Sequence, residues 1–265
     1  MTEQKTVIIT GASRGLGAGT ARMAARLGAA VVLSARSAEA LRAVAAEIET
    51  AGGRALAVPG DVSRAEDCRA LVARAVAHFG RVDAVINNAG VLEPLARIAE
   101  ADPEAWTRNI VVNVVGPFLV TQAALRYLRE TGGRVINVSS GAAVSAKAAW
   151  SAYAVSKAAL NHFTAHLAVE EPGITAVAVR PGVVDTAMQT AIREEGQAME
   201  PEERARFVRL HEEGALQPPE VPGRALAVLA LHAPHDWSGQ FVSWDDGAVQ
   251  ALVRERGADQ AGAAG

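Results

Sequence analysis

The sequence predicts an α/β protein in which a parallel sheet of about seven strands is doubly wound, with helices on both of its faces. Short apolar runs alternate with Ala-rich amphipathic stretches along most of the 265 residues, which is the pattern of repeated βαβ units. The runs are apolar on both faces, as in TVIIT and TAVAVR, and this favours strands that are covered on both sides. We therefore expect a single domain with one sheet.

The strands are predicted in chain order from the apolar runs. Six runs cover residues 6–10, 31–35, 55–59, 82–87, 134–139 and 174–180, and a seventh covers 239–244. Residues 185–219, which are rich in Glu and Gln and end in a Pro-Pro pair, predict an insertion before the last helix. We call this insertion the lid and expect it to lie over the carboxyl edge of the sheet. We assign residues 1–253 to the domain and the small, Gly/Ala-rich residues 254–265 to a flexible tail.

Composition narrows the possible function. The formal charge of -3 is spread along the chain without long runs of one sign, so it gives no support for nucleic-acid or membrane-surface binding. Cys68 is the single cysteine, which excludes an internal disulfide and a C-x-x-C metal pattern, and we expect no metal site. The N-terminus lacks a signal-like apolar stretch, and no segment approaches a membrane span of about 20 apolar residues. We expect a soluble cytoplasmic protein.

A glycine-rich turn, TGASRGLG, follows the first predicted strand. Gly11, Gly15 and Gly17 would let the backbone turn tightly and approach a pyrophosphate, which free N–H groups at the start of the next helix can bind. Glycines at such a corner can also serve the backbone alone. The position directly after the first strand favours a nucleotide site, because ligands of these sheets bind at the carboxyl edge.

Two arginines indicate which dinucleotide this site would hold. The second strand ends in VVLSARS, without the acid that usually holds the adenosine ribose hydroxyls of NAD. Arg36 follows this strand and Arg14 lies in the glycine turn, so both guanidinium groups could bind a 2′-phosphate. Either arginine alone could be an ordinary surface residue. Their joint placement predicts NADP(H) as the cofactor.

A tyrosine and a lysine four residues apart predict the chemistry. Only three of the 26 Lys and Arg residues are lysines, and one of them, Lys157, follows Tyr153 at helical spacing, so the two side chains share a face. A free tyrosine has a pKa of about 10. A nearby Lys cation, together with the positive ring of an oxidised nicotinamide, would stabilise the phenolate and bring proton transfer toward neutral pH.

With these motifs in order, the chain resembles the short-chain dehydrogenases/reductases over residues 5–250. GDV at 60–62, NNAG at 87–90 and PGVVDT at 181–186 also match motifs of that family. The resemblance implies a Rossmann-type fold, assembly into a homodimer or homotetramer, and NADP(H) binding by a set of residues from these motifs. These are Gly11, Ser13, Arg14, Gly15, Leu16, Gly17, Arg36, Asp61, Val62, Asn88, Ala89, Gly90, Tyr153, Lys157, Pro181, Gly182, Val184 and Thr186.

The same resemblance implies four catalytic residues. Tyr153 would be the proton donor, and Lys157 would also hold the nicotinamide ribose. Ser140, thirteen residues before Tyr153 and just after a predicted strand, would orient and polarise the substrate carbonyl, while Ser139 would serve the backbone. Asn113 would hold a water that links the lysine to solvent, although an Asn within a helical segment can also mark a helix irregularity alone.

Further segments resemble the benzil reductase group, itself similar to sepiapterin reductases. AGVLEP, SKAALNHF, GVVDTAMQ and GQFVSWDD carry this similarity, which implies reduction of a bulky vicinal dicarbonyl or a pterin side chain. We expect substrate contacts from Val91, Leu92, Met188 and Trp150, and from Asp246 or its neighbour Asp245. The alternatives are a core or interface role for Trp150 and a solvated turn for the acids.

The sequence thus predicts an NADPH-dependent carbonyl reductase. An NADP-linked dehydrogenase of hydroxysteroids or 3-hydroxyacyl compounds remains open, as does a scaffold that binds NADP(H) without turnover. His162 and His166 are four residues apart on one helix, but without a third ligand we interpret them as interface or packing residues.

Overall fold

A seven-stranded parallel sheet forms the centre of the protein, as the sequence predicts. The computed structural model describes residues 4–258. The strands are β1 (Thr6–Thr10), β2 (Ala30–Ala35), β3 (Arg54–Pro59), β4 (Ala84–Asn87), β5 (Arg134–Val138), β6 (Thr175–Arg180) and β7 (Phe241–Ser243). Their spatial order is β3-β2-β1-β4-β5-β6-β7. The order reverses between β1 and β4, and a doubly wound sheet binds its ligands at the carboxyl ends beside such a reversal.

Helices cover both faces of this sheet. In chain order they are α1 (Gly15–Arg26), α2 (Ala38–Thr50), α3 (Ala65–Phe79), α4 (Pro103–Ile110), α5 (Gly116–Thr131), α6 (Ser151–Glu170), α7 (Ala187–Glu195), α8 (Pro201–Glu212), α9 (Glu220–His232) and α10 (Gly247–Ala258). Alternate residues of the strands point to opposite faces: Val7 and Ile9 pack in one core with α1, α2 and α9, whereas Ile8 packs in the other with α3 and α5. This explains why the strands are apolar throughout.

The C-terminal end differs from the sequence prediction. Residues 254–258, assigned to a flexible tail, continue α10, and the last helix follows β7 instead of preceding it. Val249 and Val253 of α10 are buried in the core that contains α9, so the apolar side chains just before the predicted tail suffice to order this helix. Residues 259–265 lie outside the described residues.

The segment Pro103–Thr131 requires another correction. It forms one continuous helix with a mean hydropathy of 1.3 in its most apolar window, so its length and composition alone would allow it to cross a membrane. In the fold, its α5 part packs against the sheet through residues such as Val120 and Ala124. The stretch is therefore a helix of the outer layer, although the sequence contains a longer apolar segment than we expected.

The lid forms two helices, α7 and α8, over the carboxyl edge. Its base is closed by backbone hydrogen bonds: Asp185 N–H donates to the Gln217 carbonyl at 2.9 Å, and Gln217 N–H donates to the Val183 carbonyl at 2.9 Å. The lid therefore leaves the sheet and returns to it at nearly the same point.

Candidate active site

A cavity of about 1790 Å³ runs along the carboxyl edge from the glycine turn to the lid. Typical small-molecule pockets hold about 300–1,000 Å³, so this cavity has room for a dinucleotide and a substrate together. Every residue that the sequence assigns to the cofactor lines it. The cofactor end lies by β1 and β2, and the substrate end lies under the lid.

The glycine turn at the cofactor end has the geometry that only glycine allows. Gly11 has a φ of +66°, and a Cβ on Gly17 would lie 2.2 Å from the Gly11 carbonyl oxygen. The side-chain amide of Asn88 donates to the Thr10 carbonyl at 2.9 Å and reaches the Gly11 carbonyl at 3.3 Å. Asn88 thus stabilises the turn, in addition to lining the cavity.

Arg14 and Arg36 lie at this end with exposed side chains. Across residues 4–258 neither forms an ion pair with a carboxylate. Asp61 lies nearby and accepts hydrogen bonds from Ser63 N–H at 2.9 Å and Ser63 Oγ at 2.7 Å. Partial burial opposes its ionisation, but the Ser63 hydrogen bonds and the charges of Arg36 and Arg108 outweigh burial and lower its pKa. Both guanidinium groups remain available to an anionic ligand.

At the middle of the cavity the end of β5 meets the first turns of α6. Ser140 follows β5, and its hydroxyl lies close enough to the phenol of Tyr153, on α6, to lower the pKa of that phenol. Lys157, one turn further along α6, donates from Nζ to the Val138 carbonyl at 2.7 Å, and Nζ lies 5.6 Å from the centre of the Tyr153 ring. The neighbouring Ser139 hydroxyl donates to the Lys157 carbonyl at 3.4 Å, a backbone role as the sequence predicts. The structure therefore brings Ser140, Tyr153 and Lys157 together.

The two titratable groups are perturbed in opposite directions. Burial raises the pKa of Tyr153, and the nearby Ser140 hydroxyl offsets this only in part. Burial lowers the pKa of Lys157 to about 8. The predicted lowering of the tyrosine pKa requires the positive ring of an oxidised nicotinamide beside the lysine and stays a prediction, whereas in the protein by itself the desolvation of the phenol dominates. Tyr153 is therefore a protonated acid at neutral pH.

Asn113 lies in a single π-helical turn, Val111–Val115, between α4 and α5. Its Nδ2 lies within hydrogen-bond distance of the Val91 carbonyl, Asn109 Oδ1 and Ser156 Oγ, at 2.8, 2.9 and 3.0 Å. Its Oδ1 accepts from Val91 N–H at 2.9 Å. The side chain thus fastens the loop after β4 to α6, and the water-holding role that the family implies stays a prediction.

Aromatic side chains form the wall at the substrate end. Trp150 is 6% exposed and lines the cavity. Its ring meets that of Tyr153 edge-on at 5.8 Å and stacks on Phe207 of α8, also at 5.8 Å. Val91 and Met188 also line the cavity. Trp150 is therefore both a buried packing residue and a cavity wall.

Two expected substrate contacts do not reach the cavity. Leu92 is buried in the cluster behind the wall, with Trp150 and Phe207. Asp246 accepts a hydrogen bond from Ser243 N–H at 2.6 Å, which holds the turn after β7, whereas Asp245 lines the cavity. Leu92 is therefore wrong as a cavity residue, and of the two acids that the sequence leaves open only Asp245 lines the cavity, because successive residues of an extended or turning backbone point in different directions.

Comparison with known proteins agrees with this geometry. Residues 5–197 match the short chain dehydrogenase family. The chain belongs to that family. This short-chain dehydrogenase is 39% identical to an uncharacterized oxidoreductase of Schizosaccharomyces pombe, across 92% of the chain and 97% of the relative. It is 34% identical to a benzil reductase of Saccharomyces cerevisiae that forms (S)-benzoin, across 91% and 96%.

A solved structure is similar to the dehydrogenase along nearly its whole length. The crystal structure of the KRED1-Pglu enzyme superposes with a TM-score of 0.87 at 45% identity, across 90% of this chain and all of that one. These likenesses confirm the Rossmann-type fold and the family resemblance drawn from the motifs. The dehydrogenase is therefore an oxidoreductase of a family that uses NAD(P)(H) and acts on alcohol or ketone groups.

The lid contributes residues of this dehydrogenase that the sequence analysis did not single out. The cavity is lined by Phe207 and Arg206 of α8 and by Gln189 of α7. Lys147, outside the lid, also lines the cavity and forms an ion pair with Glu203 of α8. The sequence pattern could have indicated that Phe207 is buried, since it is the single aromatic residue in a strongly charged helix. No sequence pattern indicates that Gln189 lines the cavity, because a glutamine on a polar helix is usually exposed.

Outside the site, the histidine pair lies on α6. His162 and His166 are exposed, with their Nε2 atoms 3.3 Å apart. Within the part of the chain that the structure describes, no group of three His, Cys, Asp or Glu side chains could hold a metal ion. An interface role for the pair stays a prediction, as do the oligomeric state and the cytoplasmic location.

Proposed function

We propose that the protein is an NADPH-dependent carbonyl reductase that acts on a bulky or aromatic ketone. One observation carries the proposal: a single cavity has two unpaired arginines at one end and the Ser140, Tyr153 and Lys157 group before an aromatic wall. Binding of the cofactor alone would not require Ser140, Tyr153 and Lys157 to meet in this way. Their arrangement therefore argues against a scaffold without turnover.

The residues at the cofactor end fit NADP(H) better than NAD(H). Arg14 and Arg36 line the cavity without carboxylate partners among the described residues, and Arg36 follows β2 where NAD-binding folds commonly place an acid. The arginines would hold the 2′-phosphate through charge-assisted hydrogen bonds. The N–H groups at the start of α1 would meet the pyrophosphate.

The chemistry follows from the protonation states of the chain's own side chains. When bound, the reduced cofactor supplies a hydride to the carbonyl carbon. Tyr153, whose raised pKa keeps it protonated, donates its proton to the carbonyl oxygen, so that a ketone becomes an alcohol. Ser140 orients that oxygen by a hydrogen bond. Lys157, with a pKa of about 8, can return a proton to the tyrosine near neutral pH.

The wall at the substrate end supports a flat, apolar substrate. Trp150 and Phe207 stack beside Tyr153, so an aromatic group on the ketone would pack against the indole ring. A relative that is a benzil reductase supports an aromatic vicinal dicarbonyl as the preferred substrate class.

Consumption of NADPH across a panel of ketones tests the proposal. The panel should contain α-diketones, pterins, steroid ketones and acyl ketones, each assayed with NADPH and with NADH. We expect the fastest turnover for an aromatic α-diketone with NADPH. Tight binding of NADPH without reduction of any ketone would instead identify a scaffold, and a best rate with steroid ketones would replace the proposed substrate class.

A further inference from the structure

Two histidines on the outer side of α6 have ring nitrogens at the separation of a metal chelate. His162 and His166 are both exposed on this helix. Their Nε2 atoms lie 3.3 Å apart, and their ring centres lie 4.7 Å apart. Side chains four residues apart share a helical face, but spacing along the chain does not show that their nitrogens approach each other. In the structure they do.

The separation of the two nitrogens matches the geometry of zinc. Imidazole nitrogens bind Zn²⁺ at about 2.0–2.1 Å in a tetrahedral arrangement, which holds two nitrogens on one ion about 3.3 Å apart. With right angles between neighbouring ligands, the same bond lengths would hold them about 2.9 Å apart. The distance of 3.3 Å in the histidine pair therefore favours a tetrahedral ion.

The surroundings of the pair also favour a cation. Among the described residues, neither ring has a partner other than the second ring, so a metal ion would displace only the proton that the two rings share. No Lys or Arg follows Lys157 on α6. The helix ends at Glu170, an exposed acid one turn beyond His166, and the C-terminal end of a helix favours positive charge.

We propose that His162 and His166 form a binding site for a divalent transition-metal ion such as Zn²⁺, with the two Nε2 atoms as protein ligands and water in the remaining positions. Within residues 4–258 no group of three His, Cys, Asp or Glu side chains could hold a metal ion, so the site has two protein ligands and is open to solvent. The ion would link two successive turns of α6.

This site is separate from the proposed reaction. His162 follows Tyr153 by nine residues, which is about 14 Å along a helix at 1.5 Å per residue. The inference therefore does not depend on the proposed function, and metal binding can be measured whether or not a ketone is reduced.

Titration of zinc into the purified protein tests the site. The full chain, without an affinity tag and first treated with a chelator, is titrated with ZnCl₂ in a calorimeter. We expect one ion per chain, and a Kd that rises about tenfold or more in His162→Gln and in His166→Gln, because either variant leaves a single imidazole ligand. Glutamine is chosen because it preserves a polar side chain and a good helix propensity.

His78→Gln is the matched control. It removes an exposed histidine from α3 that has no other histidine within four residues, so the Kd for zinc should stay unchanged. The kcat/KM for ketone reduction should be the same in all three variants as in wild type. A lower kcat/KM in both α6 variants, with zinc binding intact, would mean that the pair only supports the fold.

X-ray absorption at the zinc edge identifies the ligands in the same samples. Wild type should show two imidazoles at about 2.0 Å from the ion, and each α6 variant should show at most one. Four imidazoles per ion, with one ion for two chains, would refute a site within one chain and place the pair between two copies. Absence of zinc binding by wild type, or equal binding by wild type and both α6 variants, would refute the proposal altogether.

Discussion

The two ends of the cavity are built in different ways. At the cofactor end, the backbone of the glycine turn follows β1 directly and is held by Asn88, which follows β4. At the substrate end, the wall consists of side chains from distant segments, with Trp150 before α6 stacked on Phe207 of the lid. A site made of backbone at strand ends is fixed by the sheet, whereas a site made of side chains depends on how separate helices dock.

Because of this difference, the two ends of the cavity suit ligands of different kinds. The cofactor end presents cations and free N–H groups, which suit one ligand whose phosphates are the same in every reaction. The substrate end presents aromatic rings, which suit the flat, apolar substrate that we propose. Substitutions at the two ends should therefore change different kinetic constants, with Tyr153 at the boundary affecting the chemical step alone.

The largest effect is expected at that boundary. Tyr153→Phe removes the proton donor and keeps the ring that packs on Trp150, so reduction should slow by roughly 10²-fold or more. The Kd of NADPH, measured by the fluorescence of the bound cofactor, should hardly change. A variant that keeps most of the wild-type rate would refute the role of Tyr153 as the acid.

At the cofactor end, Arg36→Asp should reverse or erase the preference for NADPH. The new carboxylate would repel the 2′-phosphate and offer hydrogen bonds to ribose hydroxyls instead. We expect the ratio of kcat/KM for NADPH to that for NADH to fall by roughly 30-fold, with ketone preference unaltered. Equal use of the two cofactors by wild type would contradict the assignment of Arg14 and Arg36.

The rate of reduction should also depend on pH through Lys157. Its pKa of about 8 means that it is protonated below pH 8 and loses its proton as the pH rises. The kcat/KM for reduction should therefore be level below pH 8 and fall about tenfold for each unit above it. Lys157→Arg, slower overall, should lose this decline because a guanidinium stays charged. A decline near pH 8 that persists in this variant would assign it to another group.

The smallest effect is expected from the aromatic wall. Trp150→Ala should raise the KM for benzil by about fivefold and that for a small aliphatic ketone much less, because only the aromatic substrate packs against the indole. The Kd of NADPH should be unchanged. Equal effects on both ketones, with a lower melting temperature, would show that the ring supports the fold and contributes nothing to selection.

The sequence predicts the cofactor end far better than the substrate end, for physical reasons. Strand ends and the glycine turn obey local rules, so the strands were placed to within about two residues, and Ser140, Tyr153 and Lys157 meet as expected. Phe207 and Gln189 could not be assigned, because their position depends on how α7 and α8 dock on the body.

Smaller errors have the same origin. Leu92 is wrong as a cavity residue, and the sequence leaves the choice between Asp245 and Asp246 open, since a motif gives the position of a segment but not the direction of each side chain. Burial raises the pKa of Tyr153 in the protein by itself, whereas the predicted lowering depends on a bound nicotinamide. Burial at a cavity wall is a property of the packed structure, and spacing along the chain does not determine it.

The closed base of the lid makes this segment an exchangeable unit. Because Val183 and Asp185 are hydrogen-bonded to Gln217, the sheet meets the same boundary whatever length of chain lies between them, and lengthening a loop between fixed ends costs little free energy. A lid taken from a relative could be joined at these positions without altering the glycine turn or the arginines, provided that it keeps Thr186, which lies against Gly15 and is expected to bind the cofactor. With that residue retained, substrate range can evolve, or be engineered, while cofactor choice stays the same.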